Sequence, residues 1–421
     1  MADAGDVIVV GAGMAGGAAA LALARAGRHP ILVDPGDGSW ASPAGAGILG
    51  PRDIPAEVRP SFPVDRRLSD RRLLFLGASS SVSIDYQEGP GSEVGIPASF
   101  LRARTDPWLA GAAVAAGAER RSGPVDRLLI EGGRIVGVAL GGTELRARLT
   151  ILSDGPRALE LAEGLAPGRP VAGPTEGTVS TERLALPAPT IEERFDLAPG
   201  AGCSLHALLG AVPPPTVASG FLLTHTDSVT VGVRIAGHVA PEAAGAMRAA
   251  FQAHPAVAPF LRGSVPLPGS ARVLPSSTRR RAWAGPGWAL AGDAAGLPDF
   301  HGAVLRGRNR AFRSGWIAGE EGARALTASS SGPIGLGGSY GRRLRSEGLG
   351  RRGPGDGDPL VGDARLHAAY PDLLAAALHR LMTETGGPKE PVTAALRGTR
   401  RSSGRSLGAI ARDATGALRR L

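Results

Sequence analysis

The sequence predicts an α/β protein: a mostly β domain interleaved into a parallel-sheet domain, with a helical C-terminal region. Three observations predict it. An apolar strand, a glycine-rich turn, an Ala/Leu helix and a second apolar strand follow one another between Asp6 and Asp34. Two later apolar segments run into acidic turns, one at Asp154-Gly155 and one at Gly292-Asp293. Between them, Gly220 to Thr224 and Ser228 to Ile235 read as strands of a separate, β-rich segment.

The first unit is the most informative. Asp6 to Val10 is β-branched, apolar and too short for a helix. Gly11-Ala-Gly-Met-Ala-Gly16 follows at once, then a helix over Met14 to Ala26 ended by Gly27. Pro30 to Val33 is the second strand, and it finishes at Asp34, 18 residues after Gly16. This is a G-x-G-x-x-G turn inside a complete βαβ unit, the Rossmann-type pattern for a dinucleotide. Gly11 permits the tight turn, Gly13 lets a pyrophosphate approach the backbone, and Gly16 lets helix and strand pack closely. The phosphates would sit on the helix N-terminus, where unpaired N–H groups favour negative charge. Asp34 is placed to accept from a ribose hydroxyl. The motif alone fits FAD and NAD equally. No second G-x-G-x-x-G follows an apolar strand, and Gly335-Leu-Gly337 lacks both the third glycine and the strand.

Length and composition bound the rest. A chain of 421 residues suggests two or three domains, and 43% hydrophobic residues allow a sizeable core. The 63 Gly and 35 Pro fall just short of low-complexity disorder, so a folded, loop-rich protein is expected. The single cysteine, Cys203, excludes an intrachain disulfide framework, a Cys-ligated structural zinc and a four-Cys iron–sulfur cluster within this chain. It reads as a small buried thiol in a reducing, cytoplasmic setting. The histidines are scattered, with no H-x-x-x-H or H-E-x-x-H, so no metal site is expected. No G-x-S-x-G preceded by an apolar strand, as a nucleophile elbow requires, supports serine hydrolysis.

Charge is uneven. The net charge is +9, and residues 336–421 hold 15 Lys+Arg against 8 Asp+Glu. Seven arginines lie between Arg397 and Leu421. Two readings are open: a solvated tail, or a weak contact with an anionic membrane surface or acidic partner. Nucleic acid is not expected, because few aromatics interleave with these arginines. Val7 to Ala24 is uncharged for 18 residues, but acidic residues precede it and glycines interrupt it. It reads as the strand–turn–helix rather than a membrane span.

Further segments narrow the cofactor. Phe100 to Leu109 leads into an Ala-rich helix, with Asp106 as its cap and Pro107 in its first turn. Ala147 to Pro156 is a strand ending in Asp154-Gly155. Trp288 to Gly296 is a strand ending in Gly292-Asp293, with a helix beginning near Gly302. In this order after the N-terminal motif, the segments resemble the flavoprotein superfamily of aromatic hydroxylases, geranylgeranyl reductases and electron-transfer-flavoprotein–quinone oxidoreductases. Ile191 to Phe195, Gly220 to Ser228, Phe251 to Pro259, Tyr370-Pro371 and Gly386 to Lys389 resemble FixC-like members in particular.

The resemblance implies an FAD-binding domain of the aromatic-hydroxylase kind in two parts, 1–165 and 271–335. A β-rich substrate domain would occupy 166–270, and a connector with a basic helical region 336–421. FAD would be noncovalent. Gly11, Gly13, Gly16 and Asp34 would hold its ADP half, and Arg102 the flavin side of the pyrophosphate or the ribityl chain. Asp293, after Gly292, would bind a ribityl hydroxyl. Gly302 to Gly307 would bring N–H groups to the pyrimidine end of the flavin. Ala12, Met14, Ala15, Pro35, Ala46, Gly47, Val125, Asp154, Gly155, Ala303 and Val304 complete the implied contact set.

Departures are present as well. Asp34 and Asn309 stand where the group commonly has Glu and Asp, and Ser42 to Gly47 replaces a Lys-Asn segment. The loop Leu297 to His301 carries Asp299 and His301, read as a proton donor oriented by a carboxylate, or as a cap and a packed ring. The activity implied is electron transfer through FAD, from an electron-transfer flavoprotein or ferredoxin-like donor to a quinone-like or unsaturated acceptor. The alternatives are a tailoring reductase, desaturase or hydroxylase on a small-molecule or carrier-bound substrate, and an FAD-binding protein without turnover.

Overall fold

The computed structural model describes residues 4–35, 45–50, 53–77, 81–87, 97–162, 177–211, 218–237, 239–276, 282–297, 300–301, 304–305, 307–329 and 331–349, with a few positions beyond 369. β1 (Ala4–Val10) is the centre of the first sheet. It pairs in parallel with β2 (Ile31–Asp34) and β10 (Thr143–Leu152). β7 (Glu119–Ser122) extends the sheet beyond β2, and β18 (Trp288–Leu290) extends it beyond β10, both in parallel. β8 (Val125–Glu131) and β9 (Arg134–Leu140) form an antiparallel flap on β10, and β17 (Ala284–Gly285) pairs with β18. Val7 to Val10, Leu149, Ile151 and Leu152 are buried throughout, as expected of parallel strands covered on both faces.

Helix α1 (Met14–Arg25) is buried from Met14 to Ala24. Its alanines and glycines let two helices approach almost to backbone contact. A Cβ at Gly315 or Gly319 of α7 (Gly307–Ala328) would come within 1.9 or 2.5 Å of the Ala15 or Ala19 carbonyl oxygen. On the other side, Gly17 leaves room for Leu109 of α2 (Arg102–Ala115). The uncharged run that could imitate a membrane span is therefore this core strand and helix. Among the described residues no helix is long and apolar enough to cross a membrane.

The second sheet runs β15 (Val265–Pro266), β11 (Gly177–Ala185), β14 (Ser228–Ala236), β13 (Ala218–Thr224), β12 (Cys203–Gly210), β4 (Leu68–Leu76), β5 (Ser81–Gln87). β16 (Arg272–Ser276) joins at β11. Pairing is antiparallel except between β12 and β4. α4 (Ala188–Arg194), α5 (Pro241–Ala253) and α6 (Ala258–Leu261) cover one face, with Phe251 of α5 in the same cluster as Leu222, Val231 and Val233 of the sheet. On the other face Leu68, Cys203, Leu205, Phe221 and Leu223 meet Ala46 and Leu101. Those two belong to the ribbon of β3 (Ala46–Leu49) and β6 (Ala98–Leu101), so this small apolar contact joins the sheet to the first domain.

Sheet membership differs from the segments drawn on the sequence in two places. Leu68–Gln87, grouped with the first domain, and Arg272–Ser276, grouped with its return, both pair into the second sheet. β4 and β5 form a local hairpin, but the strand that joins them to the sheet, β12, lies more than a hundred residues away, and such long-range pairing leaves no local signature. The stretch after 336, read as a connector, contains α8 (Gly337–Ser346). Tyr340 and Leu344, four apart and fully buried, anchor it, and the Tyr340 hydroxyl donates to the Leu290 carbonyl at 2.8 Å. The helix expected near Gly302 begins at Gly307. The ribbon of β19 (Phe300–His301) and β20 (Val304–Leu305) precedes it. α3 (Gly155–Ala162) starts at the Asp-Gly turn.

Candidate functional site

The site is assembled where β1, β2 and β10 end. Gly11 has φ +97° and donates to the Val33 carbonyl at 2.8 Å. A Cβ there would lie 2.9 Å from the Asp154 backbone, so only glycine suits both the turn and its neighbour. The Ser153 hydroxyl donates to the Val10 carbonyl at 2.6 Å, pinning the turn to the end of β10. A Cβ at Gly16 would sit 1.7 Å from the Gly11 carbonyl oxygen. Gly13 differs: its backbone is extended, and a Cβ would meet side chains rather than backbone, Arg102 Nη2 at 3.1 Å and Asp106 Oδ2 at 3.9 Å. Gly13 is needed for space above it. As N-cap it offers no side-chain acceptor, and the first turn of α1 holds no acid. The helix thus presents its orphan N–H groups and positive dipole end without internal neutralisation.

Arg102 stands over that helix end. β6 runs directly into α2, and the Arg102 N–H donates to the Gly45 carbonyl at 2.7 Å. A Cβ at Gly45 would collide with the Arg102 stem, at 2.4 Å. Arg102 Nε and Nη2 each lie 2.6 Å from Oδ2 of Asp106. Asp106 was expected to cap this helix. It does not: Leu101 is the N-cap, and Asp106 is a second-turn residue, fully buried and paired with Arg102. Pro107 lies inside the helix, so helix formers on both sides carried the start back to Arg102.

A cleft opens beside Gly11. It is lined by Val10, Gly11, Val33, Asp34, Pro35, Gly123, Pro124, Val125, Asp154 and Arg157, and measures about 180 Å³ counted to its open mouth. The structure thus brings Gly11, Asp34, Pro35, Val125 and Asp154 together. Asp34 is buried; Arg120 Nε lies 2.6 Å from its Oδ2, and the Ser122 hydroxyl 3.3 Å. Sequence reasoning missed Arg120, Ser122 and Arg157. The signal for the first two was the alternation Arg120-x-Ser122 on a strand in parallel register with β2, visible only once β7 is known to lie there.

Across α1, Gly292 has φ +65° and opens a short 3-10 turn over Gly292–Ala295. A Cβ on it would come 2.9 Å from the Ala15 Cβ, so this turn also lies against the start of α1, with Asp293 exposed. Gly292 N–H donates to Ser314 Oγ at 2.9 Å. Ala46 and Gly47 lie opposite Leu101 and Phe100. Asn309, where an acid was expected from the resemblance, donates to Asp53 Oδ2 at 3.3 Å, and Asp53 accepts from the Gly50 N–H at 2.6 Å. This ties the end of β3 to the start of α7. Of the proposed catalytic pair, Asp299 lies outside the described residues, as do Gly302 and Ala303. The backbone of His301 is opposite Val304.

The arrangement fits the ADP half of FAD. It offers an open cleft, a carboxylate at the end of β2, and an uncapped helix N-terminus beside a guanidinium. Each suits a different part of such a ligand: adenosine, ribose and pyrophosphate.

Other buried titratable groups lie in the second sheet. Asp65 accepts from both the N–H and the hydroxyl of Thr226 at 3.0 Å, and faces His225 Nδ1 at 3.5 Å. Burial works to raise its pKa, but the contacts to His225 and Thr226 prevail and hold it at about 2. Burial drives the His225 pKa down, and its Nε2 lies 2.9 Å from the Thr230 hydroxyl. His206 is packed against Phe195 and Phe260, with ring centroids 4.9 Å away, and burial pushes it down to about 3. Its neighbour Asp70, bonded by the Ser204 hydroxyl, is raised by burial. Cys203 is buried, as expected, and its thiol is pushed up to about 12.

The model of the family described as FAD binding domain matches residues 6–61. Protein FixC of Escherichia coli K12 is 31% identical over 399 residues, covering 91% of this chain and 92% of that protein. A probable electron transfer flavoprotein-quinone oxidoreductase of the same strain, YdiS, is 30% identical over 406 residues, with 92% of each covered. Among solved structures, a geranylgeranyl bacteriochlorophyll reductase-like protein of Thermoplasma acidophilum superposes with a TM-score of 0.66 at 19% identity, covering 96% of this chain and 97% of that one. The myxobacterial chondrochloren halogenase CndH gives 0.62 at 17% identity, covering 96% and 91%. These two share the fold, a Rossmann-type FAD-binding domain with an added β-rich domain.

Proposed function

The chain belongs to the FixC family of FAD-dependent oxidoreductases, and from that premise we propose that it passes electrons between a redox protein and a quinone-like or unsaturated acceptor. The observation that carries this is likeness of about 30% to FixC and to a quinone oxidoreductase over nine-tenths of the chain, together with a cleft whose residues fit FAD. The donor would be an electron-transfer flavoprotein or a ferredoxin-like protein.

FAD, held noncovalently, supplies the redox chemistry. The chain's own residues bind and orient it. The α1 N-terminus would hold the pyrophosphate, Arg102 its flavin side or the ribityl chain, Asp34 the ribose, and Asp293 a ribityl hydroxyl. Gly302 to Gly307 would bring N–H groups to the pyrimidine end. No iron–sulfur cluster is needed within this chain. His301, with Asp299, would donate the proton when the acceptor is reduced. The test is His301→Ala, with FAD content checked first and the two half-reactions timed separately. Reoxidation by the acceptor should slow by about 10²-fold or more while reduction by the donor is unchanged. If both rates survive, His301 is structural and electron transfer alone describes the site.

A second reading, a tailoring reductase, desaturase or hydroxylase, is favoured by the altered loop Leu297 to His301. Oxygen uptake driven by NAD(P)H and dependent on an aromatic substrate would establish hydroxylation. Electron transfer from a reduced flavoprotein to a quinone analogue would establish the first reading. The basic segment from Arg397 would add a weak, salt-sensitive hold on anionic lipid, each arginine worth about 1 kcal/mol at the surface. Equal sedimentation with anionic vesicles by the full chain and a chain ending before Arg397 would refute that hold.

A further inference from the structure

We propose that Asp106 is a positioning residue for the pyrophosphate: it fixes the Arg102 guanidinium over the N-terminus of α1. The sequence places the two residues four apart at the start of α2, on one helix face. α2 packs closely on α1 through Gly17 and Leu109, so that face looks onto the start of α1. The geometry is specific. Both Nε and Nη2 of Arg102 lie 2.6 Å from Oδ2 of Asp106. A Cβ position at Gly13 lies 3.1 Å from Arg102 Nη2 and 3.9 Å from Asp106 Oδ2. Guanidinium, carboxylate and helix end therefore converge on the one glycine of the turn whose lack of a side chain serves the space above it.

Stability alone is a poor reason for this pair. The Asp106 side chain is 0% exposed and that of Arg102 21%. Burying such a pair costs desolvation that its attraction only balances, and apolar residues of similar size commonly hold a helix interface as well. An arginine side chain is long and flexible, however, and must be ordered before it can meet a phosphate edge-on. Asp106 orders it in advance. One guanidinium edge goes to the carboxylate, and the plane is fixed relative to the α1 N–H groups. Gly45 makes the same choice for the stem, since any side chain there would strike Arg102.

This role rests on FAD occupying the cleft, so the test reads the reading and the role separately. Holoprotein is prepared as wild type, Asp106→Asn, Asp106→Ala, Arg102→Ala and the Arg102→Ala/Asp106→Ala double variant. FAD is stripped and retitrated, following flavin fluorescence. ADP and adenosine are titrated in parallel by calorimetry. Loss of a held charged hydrogen-bond donor should weaken FAD and ADP by about tenfold or more in both Asp106 variants. Adenosine, which has no phosphate, should change by less than about twofold. In the Arg102→Ala background, removing Asp106 should weaken FAD no further, because Asp106 acts through Arg102. Additive losses, equal losses for ADP and adenosine, or tighter FAD binding on removal of the carboxylate would each overturn the role. Should Asp106→Ala fail to fold, Asp106→Asn keeps the shape, and the double variant removes both charges together. Unchanged FAD affinity in Arg102→Ala would instead overturn the placement of the pyrophosphate.

Discussion

The nucleotide cleft and the second sheet both bury titratable side chains in pairs, but they do so for different ends. Around the nucleotide site, Asp34 and Asp106 are buried beside Arg120 and Arg102; Asp34 lines the open cleft, and the Arg102–Asp106 pair stands at the bare end of α1. In the second sheet, Asp65 faces His225 and Asp70 faces His206, and every one of these side chains is enclosed. Within the enclosed set, Asp65 and His206 are both shifted well below their ordinary values. A perturbed pKa is a fair pointer to a reactive site when the group lines a cavity. Here it marks instead where the polar ends of strands are tied together. Access, more than perturbation, separates the functional region from the structural one.

Two glycines of the same turn test this contrast most strongly. Gly16→Val drives a side chain into the Gly11 carbonyl and should destabilise the protein by about 3 kcal/mol or more, with loss of soluble yield. Gly13→Val meets side chains rather than backbone, the Arg102 tip and Asp106 Oδ2, so the apo-protein should lose less than Gly16→Val does, about 1 to 2 kcal/mol in urea unfolding. The same substitution fills the space the pyrophosphate must enter, and purified Gly13→Val should be colourless. Retention of stoichiometric FAD by that variant would move the cofactor elsewhere.

The enclosed histidines give a smaller, pH-dependent effect. The folded pKa of His206 is about 3, well below the ordinary value near 6.5, so its contribution is complete above pH 6.5 and is lost as the pH falls below it. His225 acts in the same direction. Asp65, held at about 2, adds its own loss only below about pH 4. The slope is at most about 1.4 kcal/mol per pH unit for each histidine. His206→Phe keeps an aromatic ring between Phe195 and Phe260 and leaves Asp70 its bond from Ser204. It should reduce the fall in stability between pH 6.5 and 4.5 by about 2 kcal/mol. Equal slopes for variant and wild type would mean that His206 is protonated without cost.

Much of the cleft was legible because its signals are local. A strand, three glycines at fixed spacing, a helix and an acid all fall within the first 34 residues, and each has one mechanical reason. The FixC-like resemblance was legible for the same reason, as short segments in order. What was hidden is long-range. β4 finds its partner β12 more than a hundred residues on, and Arg120 reaches Asp34 only because β7 lies beside β2. Asp106 shows a different failure. A cap residue and an ion-pair partner carry the same side chain, and only the true helix start at Arg102 distinguishes them. α8 was read as a connector because glycine, serine and arginine outnumber its two anchoring residues.

Cys203 offers the smallest effect and a direct check on access as the distinguishing property. It is enclosed where the β3–β6 ribbon meets the second sheet, beside Leu68, Leu205 and Phe221. Its sulfur lies 3.7 Å from the Arg66 carbonyl, and burial holds the thiol at about 12, so almost no thiolate exists at pH 8. Thiolate is the species that alkylates, and a buried sulfur must also wait for the contact to open. Native protein should therefore resist iodoacetamide at pH 8 over hours, while protein unfolded in urea should react within minutes. Cys203→Ala removes one small apolar group and should leave FAD content and both half-reaction rates within about twofold of wild type. Rapid alkylation of the native protein with loss of activity would place a reactive thiol at the contact between the two domains. The second sheet would then have to be counted as part of the working site.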